Sequence, residues 1–245
     1  MTRALPVALA LIALATLAPP GEGHVILEPE AVQAMLADIA RLRRESREGP
    51  TEEARLDALY GLGQRVHGLV ELLNQDVGAH GVGDLFARLV VRRLHESGIG
   101  VSFVEGSRQY VYDLAAFLEY LERAPRGKRA ADARYRLIAG AFYRTLRIDT
   151  PTMLRGDASE LVAAVAQAEG FLRDFPNDAR TKEVRLFRAT DYYRLARNTR
   201  DPVAARRYEE LARQALREIL ARHGSTTEAR AAEGLLEQLG DGPGH

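Results

Sequence analysis

The feature that most constrains the fold of this chain is an internal repeat in its second half. Residues 120–144 (YLERAPRGKRAADARYRLIAGAFYR) align without gaps to residues 171–195 (FLRDFPNDARTKEVRLFRATDYYRL), 51 positions later. Pro125 coincides with Pro176, and a weaker third copy has Gly224 at the equivalent turn. A repeated unit of this size indicates an array in which each unit buries its apolar face against the next.

Each copy is predicted to be a pair of antiparallel helices. In the first copy, the apolar residues of the leading helix follow the spacing i, i+3, i+4, i+7, and proline then ends that helix because it lacks an amide donor. These residues are Leu114, Phe117, Leu118 and Leu121. Residues that typically begin helices support this prediction. Asp157 with Glu160 and Ser225 with Glu228 have capping-box spacing, and Asp201 precedes Pro202.

The residues before the repeat predict three further helices and a hairpin. The first helix runs from Glu30 to about Gly49, Thr51 caps the second, and Asp84 begins the third. Three glycines inside the second helix suggest close helix packing; they are Gly61, Gly63 and Gly68. Residues 101–104 and 109–112 are rich in β-branched and aromatic side chains, which favours a short β-hairpin.

The fold class expected from these patterns is all-α, with antiparallel helix pairs stacked as a superhelix and a short β-hairpin near residues 100–112. We expect an N-terminal helical module over residues 24–112 and the helical repeats over 113–240. Residues 241–245 are expected to form a disordered tail.

The first 23 residues have the form of an export signal. Arg3 precedes an uncharged apolar stretch over residues 4–18, which is shorter than the roughly 20 residues of a membrane-spanning helix. Pro19 and Pro20 end that stretch, and small residues favour cleavage just before His24. We therefore expect a periplasmic or secreted protein, with an uncleaved membrane anchor as the alternative. Cysteine is absent, which excludes attachment of a lipid through a cysteine.

Composition argues against several classes of function. Lysine plus arginine and aspartate plus glutamate number 34 each, so the chain lacks the excess of positive charge typical of nucleic-acid-binding proteins. The six histidines do not have the spacing of metal ligands, and motifs of nucleotide-binding loops and serine hydrolases are missing. We therefore expect no metal, no cofactor and no catalytic residue.

Residues 113–239 resemble the tetratricopeptide-repeat superfamily. The resemblance is carried by Phe175-Pro176 followed by Tyr192-Tyr193, and more loosely by Pro125 followed by Phe142-Tyr143. It is strongest to envelope proteins of the outer-membrane-assembly lipoprotein and Tol-Pal coordinator type, although the repeat is longer than the usual ~34 residues of this superfamily. Such a resemblance implies a superhelix whose concave face holds an extended peptide or a helix of a protein partner.

Four residues of the repeats are candidates for partner binding. Within each aromatic pair only one ring can face the core, because neighbouring positions lie about 100° apart around a helix. The apolar stripe assigns Phe142 and Tyr193 to the core. The partner-binding candidates are therefore Tyr143, Arg147, Arg188 and Tyr192, since tyrosine and arginine are enriched in binding hot spots. The alternative is that these tyrosines pack between repeats.

The hypothesis that follows is a non-enzymatic adaptor of the cell envelope that binds a protein or an extended peptide. One rival is an enzyme or small-ligand-binding protein with a site around His67, His80 and Asp84. The glycines near His80 would open backbone donors to an anion at the start of the third helix; the alternative is that they simply connect two helices. The other rival is a structural envelope component that associates with itself.

Overall fold

The computed structural model of the protein describes residues 27–81, 84–105, 108–145 and 157–240. Over these ranges the fold is all-α with one short antiparallel hairpin, which confirms the predicted fold class. The expected export signal and the C-terminal tail lie outside the described residues. Within them, no helix has the length and apolar character needed to cross a membrane.

The described residues form helices and two strands, in the following order along the chain. The helices are α1 (Pro29–Glu48), α2 (Glu52–His80), α3 (Leu85–Glu96), α4 (Ala115–Arg123), α5 (Ala130–Thr145), α6 (Ala158–Asp174), α7 (Thr181–Asn198), α8 (Pro202–His223) and α9 (Thr227–Gln238). The strands are β1 (Val101–Val104) and β2 (Gln109–Tyr112), which lie between α3 and α4.

Contacts divide the chain into two compact units, with the division between Gly140 and Ala141 inside α5. We call residues 27–140 the N-terminal unit and the described residues from 141 onward the C-terminal unit. The boundary expected from the sequence fell after residue 112, at the start of the repeat. The difference arises because α4 packs on α2 of the N-terminal unit.

The N-terminal unit is built around the long helix α2, which contacts α1, α4 and β2. Thr51 caps α2 as predicted, because its side-chain oxygen accepts a hydrogen bond from the amide of Ala54 at 3.1 Å. The ring of Phe117 on α4 is fully buried and lies directly over Gly63 of α2. Gly63, one of the three glycines singled out in the sequence, therefore marks a close helix contact.

The predicted hairpin is confirmed at the expected residues, with Val101 opposite Tyr112 and Phe103 opposite Tyr110. Two strands alone are marginally stable in water, so the hairpin needs support from the helices. Asn74 of α2 provides it, since its amide group accepts a hydrogen bond from the Tyr110 amide at 2.6 Å and donates one to the Tyr110 carbonyl at 3.0 Å.

In the C-terminal unit, α7 packs against α6, α8 and α9, and α8 also packs against α9. Asp157 and Asp201 cap α6 and α8 as predicted. The predicted cap at Ser225 is wrong: Thr226 caps α9 by accepting a hydrogen bond from Ala229. Adjacent residues with side-chain hydroxyls offered two possible caps, and the helix begins one residue later than the capping-box spacing indicated.

The backbone supports the internal repeat in detail. The turn after α4 begins with a hydrogen bond from the Ala124 amide to the Tyr120 carbonyl at 2.8 Å. Its counterpart after α6, 51 positions later, joins the Phe175 amide to the Phe171 carbonyl at the same distance. Ala124 and Phe175 also share nearly the same backbone angles, φ −139° and ψ 66° against φ −132° and ψ 57°. The third copy departs from this turn, because Gly224 is helical at φ −50° and ψ −13°.

Candidate functional site

One of the four residues predicted to bind a partner lies near the start of the C-terminal unit. Tyr143, at the end of α5, is 37% exposed and contacts the rings of Phe142 and Phe187 edge-on at 5.5 and 5.8 Å. Its neighbour Phe142 faces the core, as predicted. Arg147 lies outside the described residues.

The other two predicted residues are on α7. Tyr192 is only 8% exposed, and its hydroxyl donates a hydrogen bond to Glu169 at 2.5 Å. Burial and this hydrogen bond raise the pKa of Tyr192 to about 12. Tyr193 is buried as well, because α7 is covered by α6, α8 and α9 rather than on one face alone. The rule that only one ring of the pair faces the interior does not apply to such an enclosed helix.

Arg188 belongs to a group of three arginines that share one carboxylate, which we call the arginine cluster. Glu218 accepts hydrogen bonds from Arg188 Nη2 at 3.3 Å and from Arg185 Nε at 3.4 Å, and it forms an ion pair with Arg222 Nε at 3.2 Å. Among the described residues, Glu218 is the only acidic partner of these three guanidinium groups. The cluster of Arg185, Arg188, Glu218 and Arg222 thus carries an excess of two positive charges.

Two helices bring the cluster together. Arg185 and Arg188 lie three residues apart on α7, whereas Glu218 and Arg222 lie four residues apart on α8, so each pair occupies one helix face. The short connection between α7 and α8 makes the helices antiparallel neighbours and sets the two faces against each other. Arg222 also lies in the last turn of α8, where the helix dipole favours a positive charge.

The cluster is electrostatically strained. Burial lowers the pKa of Arg185; Glu218 opposes this effect, while the charges of Arg222 and Arg188 add to it. Nε of Arg188 is buried and has no hydrogen-bond partner among the described residues. These guanidinium groups are therefore short of acceptors, and a carboxylate or phosphate oxygen is the group that would supply them.

The cluster is open at one end and bounded by tyrosines at the other. The side chain of Arg222 is 59% exposed, compared with 13% for Arg185 and 18% for Arg188. One turn beyond Arg188 on α7, Tyr192 stacks on Tyr208 of α8, with ring centroids 6.5 Å apart. An acidic ligand would thus approach from the Arg222 side and extend toward a partly buried aromatic pair.

Sequence reasoning found Arg188 but missed Arg185, Glu218 and Arg222. The spacing of Arg185, Arg188 and Tyr192 along one face of α7 was a usable signal. The contribution of α8 was not visible, because the register between two neighbouring helices depends on side-chain packing.

The residues of the rival site do not converge. His67 pairs with Glu71 at 3.2 Å and His80 with Asp76 at 2.8 Å. His67 and His80 lie thirteen residues apart on α2, which corresponds to roughly 20 Å along a helix. Asp84 uses its own carboxylate to cap α3 through the Phe86 amide, so that amide is not free for a bound anion.

Among the described residues, no group of three or more histidine, aspartate or glutamate side chains is arranged to hold a metal ion. The arginine cluster is therefore the candidate site for which the chemistry of a ligand can be stated. Neither a protein-family model nor a curated protein matches the sequence, so the function is inferred from the residues themselves.

Proposed function

We propose that the protein is a non-enzymatic adaptor of the cell envelope whose C-terminal unit binds an acidic segment of a protein partner. The observation that carries this proposal is the sharing of Glu218 by three arginines on α7 and α8. The resemblance to tetratricopeptide repeats supports a protein partner, and the expected export signal supports the periplasm as the compartment.

An acidic segment suits the cluster for a physical reason. Like charges held close together repel, and an added carboxylate replaces this repulsion by attraction. Arginine also binds carboxylates with two parallel hydrogen bonds, which fixes the orientation of the ligand. Hydrogen bonds to charged groups contribute roughly 1.5–3 kcal/mol each, so a segment that engages two arginines gains useful affinity.

The proposal is tested by measuring the binding of a fluorescein-labelled peptide of glutamate and alanine to the purified protein. The same peptide with glutamine in place of glutamate measures binding that does not depend on charge. We expect Arg188→Gln to weaken binding of the acidic peptide by about tenfold, which corresponds to about 1.4 kcal/mol. The matched control is Arg173→Gln, because Arg173 is an exposed arginine of the same unit whose ion pair among the described residues is with its neighbour Asp174.

Circular dichroism of each variant shows whether the helices are retained. Equal binding of the glutamate and glutamine peptides would contradict the proposal. So would equal effects of Arg188→Gln and Arg173→Gln, because the loss would then reflect general charge rather than the cluster.

A further inference from the structure

A cavity of about 110 Å³ lies within the N-terminal unit, whereas the arginine cluster belongs to the C-terminal unit. It is bounded by α1, by the turn after α3 and by the start of α4. Its polar wall combines two cations with two carboxylates and the backbone between them. These residues are Arg43, Arg47, Gly98, Gly100, Asp113 and Glu119.

The guanidinium of Arg43 is the unusual group in this wall. It forms no ion pair and no side-chain hydrogen bond with any described residue, and its Nη1 atom is buried. A buried donor without a partner costs roughly 1–3 kcal/mol, and more when it is charged. Such a group is retained at a stability cost, which is typical of functional sites.

The backbone beneath Arg43 is shaped to hold the guanidinium in place. Gly98 has φ +65°, a conformation that residues with side chains rarely adopt. A Cβ atom at this position would lie 2.7 Å from Nη2 and 2.9 Å from Nη1 of Arg43. Glycine at position 98 therefore gives both the left-handed turn and the space that Arg43 occupies.

Gly100, two residues after Gly98, makes space for a carboxylate just as Gly98 makes space for Arg43. Asp113 lies against Gly100, where a Cβ atom would collide with its Oδ2. Its Oδ1 accepts a hydrogen bond from the Ala115 amide at 3.0 Å, which fixes the side chain at the start of α4. Arg43 and Asp113 line the same cavity but form no ion pair with each other.

We propose that this cavity binds a small zwitterion of the free α-amino acid class. The carboxylate of the ligand would accept hydrogen bonds from Arg43, and its ammonium group would donate to Asp113. The four charged side chains of the wall sum to zero, which matches a ligand without net charge. One water needs only about 10–15 Å³ of such space, so the cavity holds a molecule of several heavy atoms.

The site is tested by isothermal titration calorimetry of the full chain with glycine, acetate and methylammonium. Glycine carries both charges of the proposed ligand, whereas acetate and methylammonium carry one each. We expect glycine to bind at least tenfold more tightly than either. Equal affinities for glycine and acetate would show that the cavity binds anions only, which would overturn the proposal. The absence of glycine binding would also overturn it.

Two variants assign the binding to this cavity. Arg43→Met keeps the apolar stem and removes the charge, so we expect at least tenfold weaker glycine binding and an unchanged or higher melting temperature without ligand. The matched control is Arg44→Met, since Arg44 is the exposed next residue of α1. If Arg43→Met binds glycine as well as Arg44→Met does, the proposal is wrong.

Asp113→Asn tests the same proposal independently, so it remains testable if Arg43→Met does not fold. The amide oxygen of asparagine can still accept the hydrogen bond from the Ala115 amide, but the charge that would hold an ammonium group is gone. We expect this variant to bind acetate as before and to lose the advantage of glycine over acetate. If Asp113→Asn still binds glycine more tightly than acetate, the proposal is wrong. Binding of the acidic peptide to the C-terminal unit should not change, which separates this test from that of the adaptor function.

Discussion

Asp191 and Arg194 form a buried ion pair on α7, with the carboxylate accepting Arg194 Nη1 at 2.9 Å. Burial raises the pKa of Asp191 to about 6, which means that desolvation outweighs the attraction of Arg194. In the unfolded chain an aspartate titrates near pH ~3.9. Between these values the folded protein binds more protons than the unfolded chain, so this group lowers the free energy of unfolding as pH rises from about 4 to about 6.

We expect Asp191→Asn to remove this dependence. The free energy of unfolding of the wild type minus that of the variant should fall by roughly 2 kcal/mol between pH 4 and 6, since one pKa unit corresponds to about 1.4 kcal/mol. The measurement is urea unfolding across that range.

Asp178→Asn is a control of opposite sign in the same unit. Hydrogen bonds from the side chain of Arg180 lower the pKa of Asp178, so this carboxylate stabilises the fold at neutral pH and loses that effect as pH falls below about 4. The free energy of unfolding of the wild type minus that of Asp178→Asn should therefore increase as pH rises. If the Asp191 comparison shows the same sign as the Asp178 comparison, the assignment of a raised pKa to Asp191 is wrong.

Single residues were predictable where their effect is local. The caps at Thr51, Asp84, Asp157 and Asp201 depend on hydrogen bonds to amides within a few positions, and all four were found from the sequence. Tyr192 was expected on a binding surface and is instead buried, because its exposure depends on how many helices cover α7. Sequence periodicity identifies a buried stripe on a helix, but it cannot count the neighbours of that helix.

At the scale of elements, the glycines of α2 provide a matched pair of substitutions. A Cβ atom on Gly63 would lie 2.8 Å from two carbons of the buried Phe117 ring. On Gly68, five residues further along α2, the nearest atom outside the helix would be the methyl group of Met35 at 4.0 Å. The first position is closed by α4, whereas the second is open apart from ordinary contact.

We expect Gly63→Ala to lower the free energy of unfolding by roughly 1–3 kcal/mol, because the methyl group forces α2 and α4 apart. Gly68→Ala should raise it by up to about 1 kcal/mol, since alanine favours helix formation over glycine. Urea unfolding of both variants is the measurement. If both substitutions stabilise, Phe117 does not pack on Gly63 as described.

Elements also show where sequence reasoning reaches its limit. Gly61, Gly63 and Gly68 were equally suspected of close packing. The sequence could not distinguish Gly63 from Gly68, because the partner of Gly63 comes from α4, more than fifty residues away. The arginine cluster was missed for the same reason. Only Arg188 was predicted; helical spacing on α7 would also have linked Arg185 to it, whereas Glu218 and Arg222 depend on the register of α8.

At the scale of the whole molecule, positive and negative side chains balance at 34 each. A neutral protein has no general attraction for an acidic ligand, so any such attraction must come from a local excess of charge. The arginine cluster supplies an excess of two positive charges on one helix pair. Binding to it should therefore depend on salt in a way that is traceable to individual arginines.

We expect affinity for the glutamate peptide to fall about tenfold or more between 0.01 M and 1 M salt, because the screening length shrinks from about 30 Å to about 3 Å over this range. Fluorescence anisotropy at several salt concentrations gives the slope of log affinity against log salt. Arg188→Gln should reduce this slope because one charge no longer contributes, whereas Arg173→Gln should leave it nearly unchanged. A salt-independent affinity, or equal slopes for the two variants, would show that the peptide is held by contacts other than those of the arginine cluster.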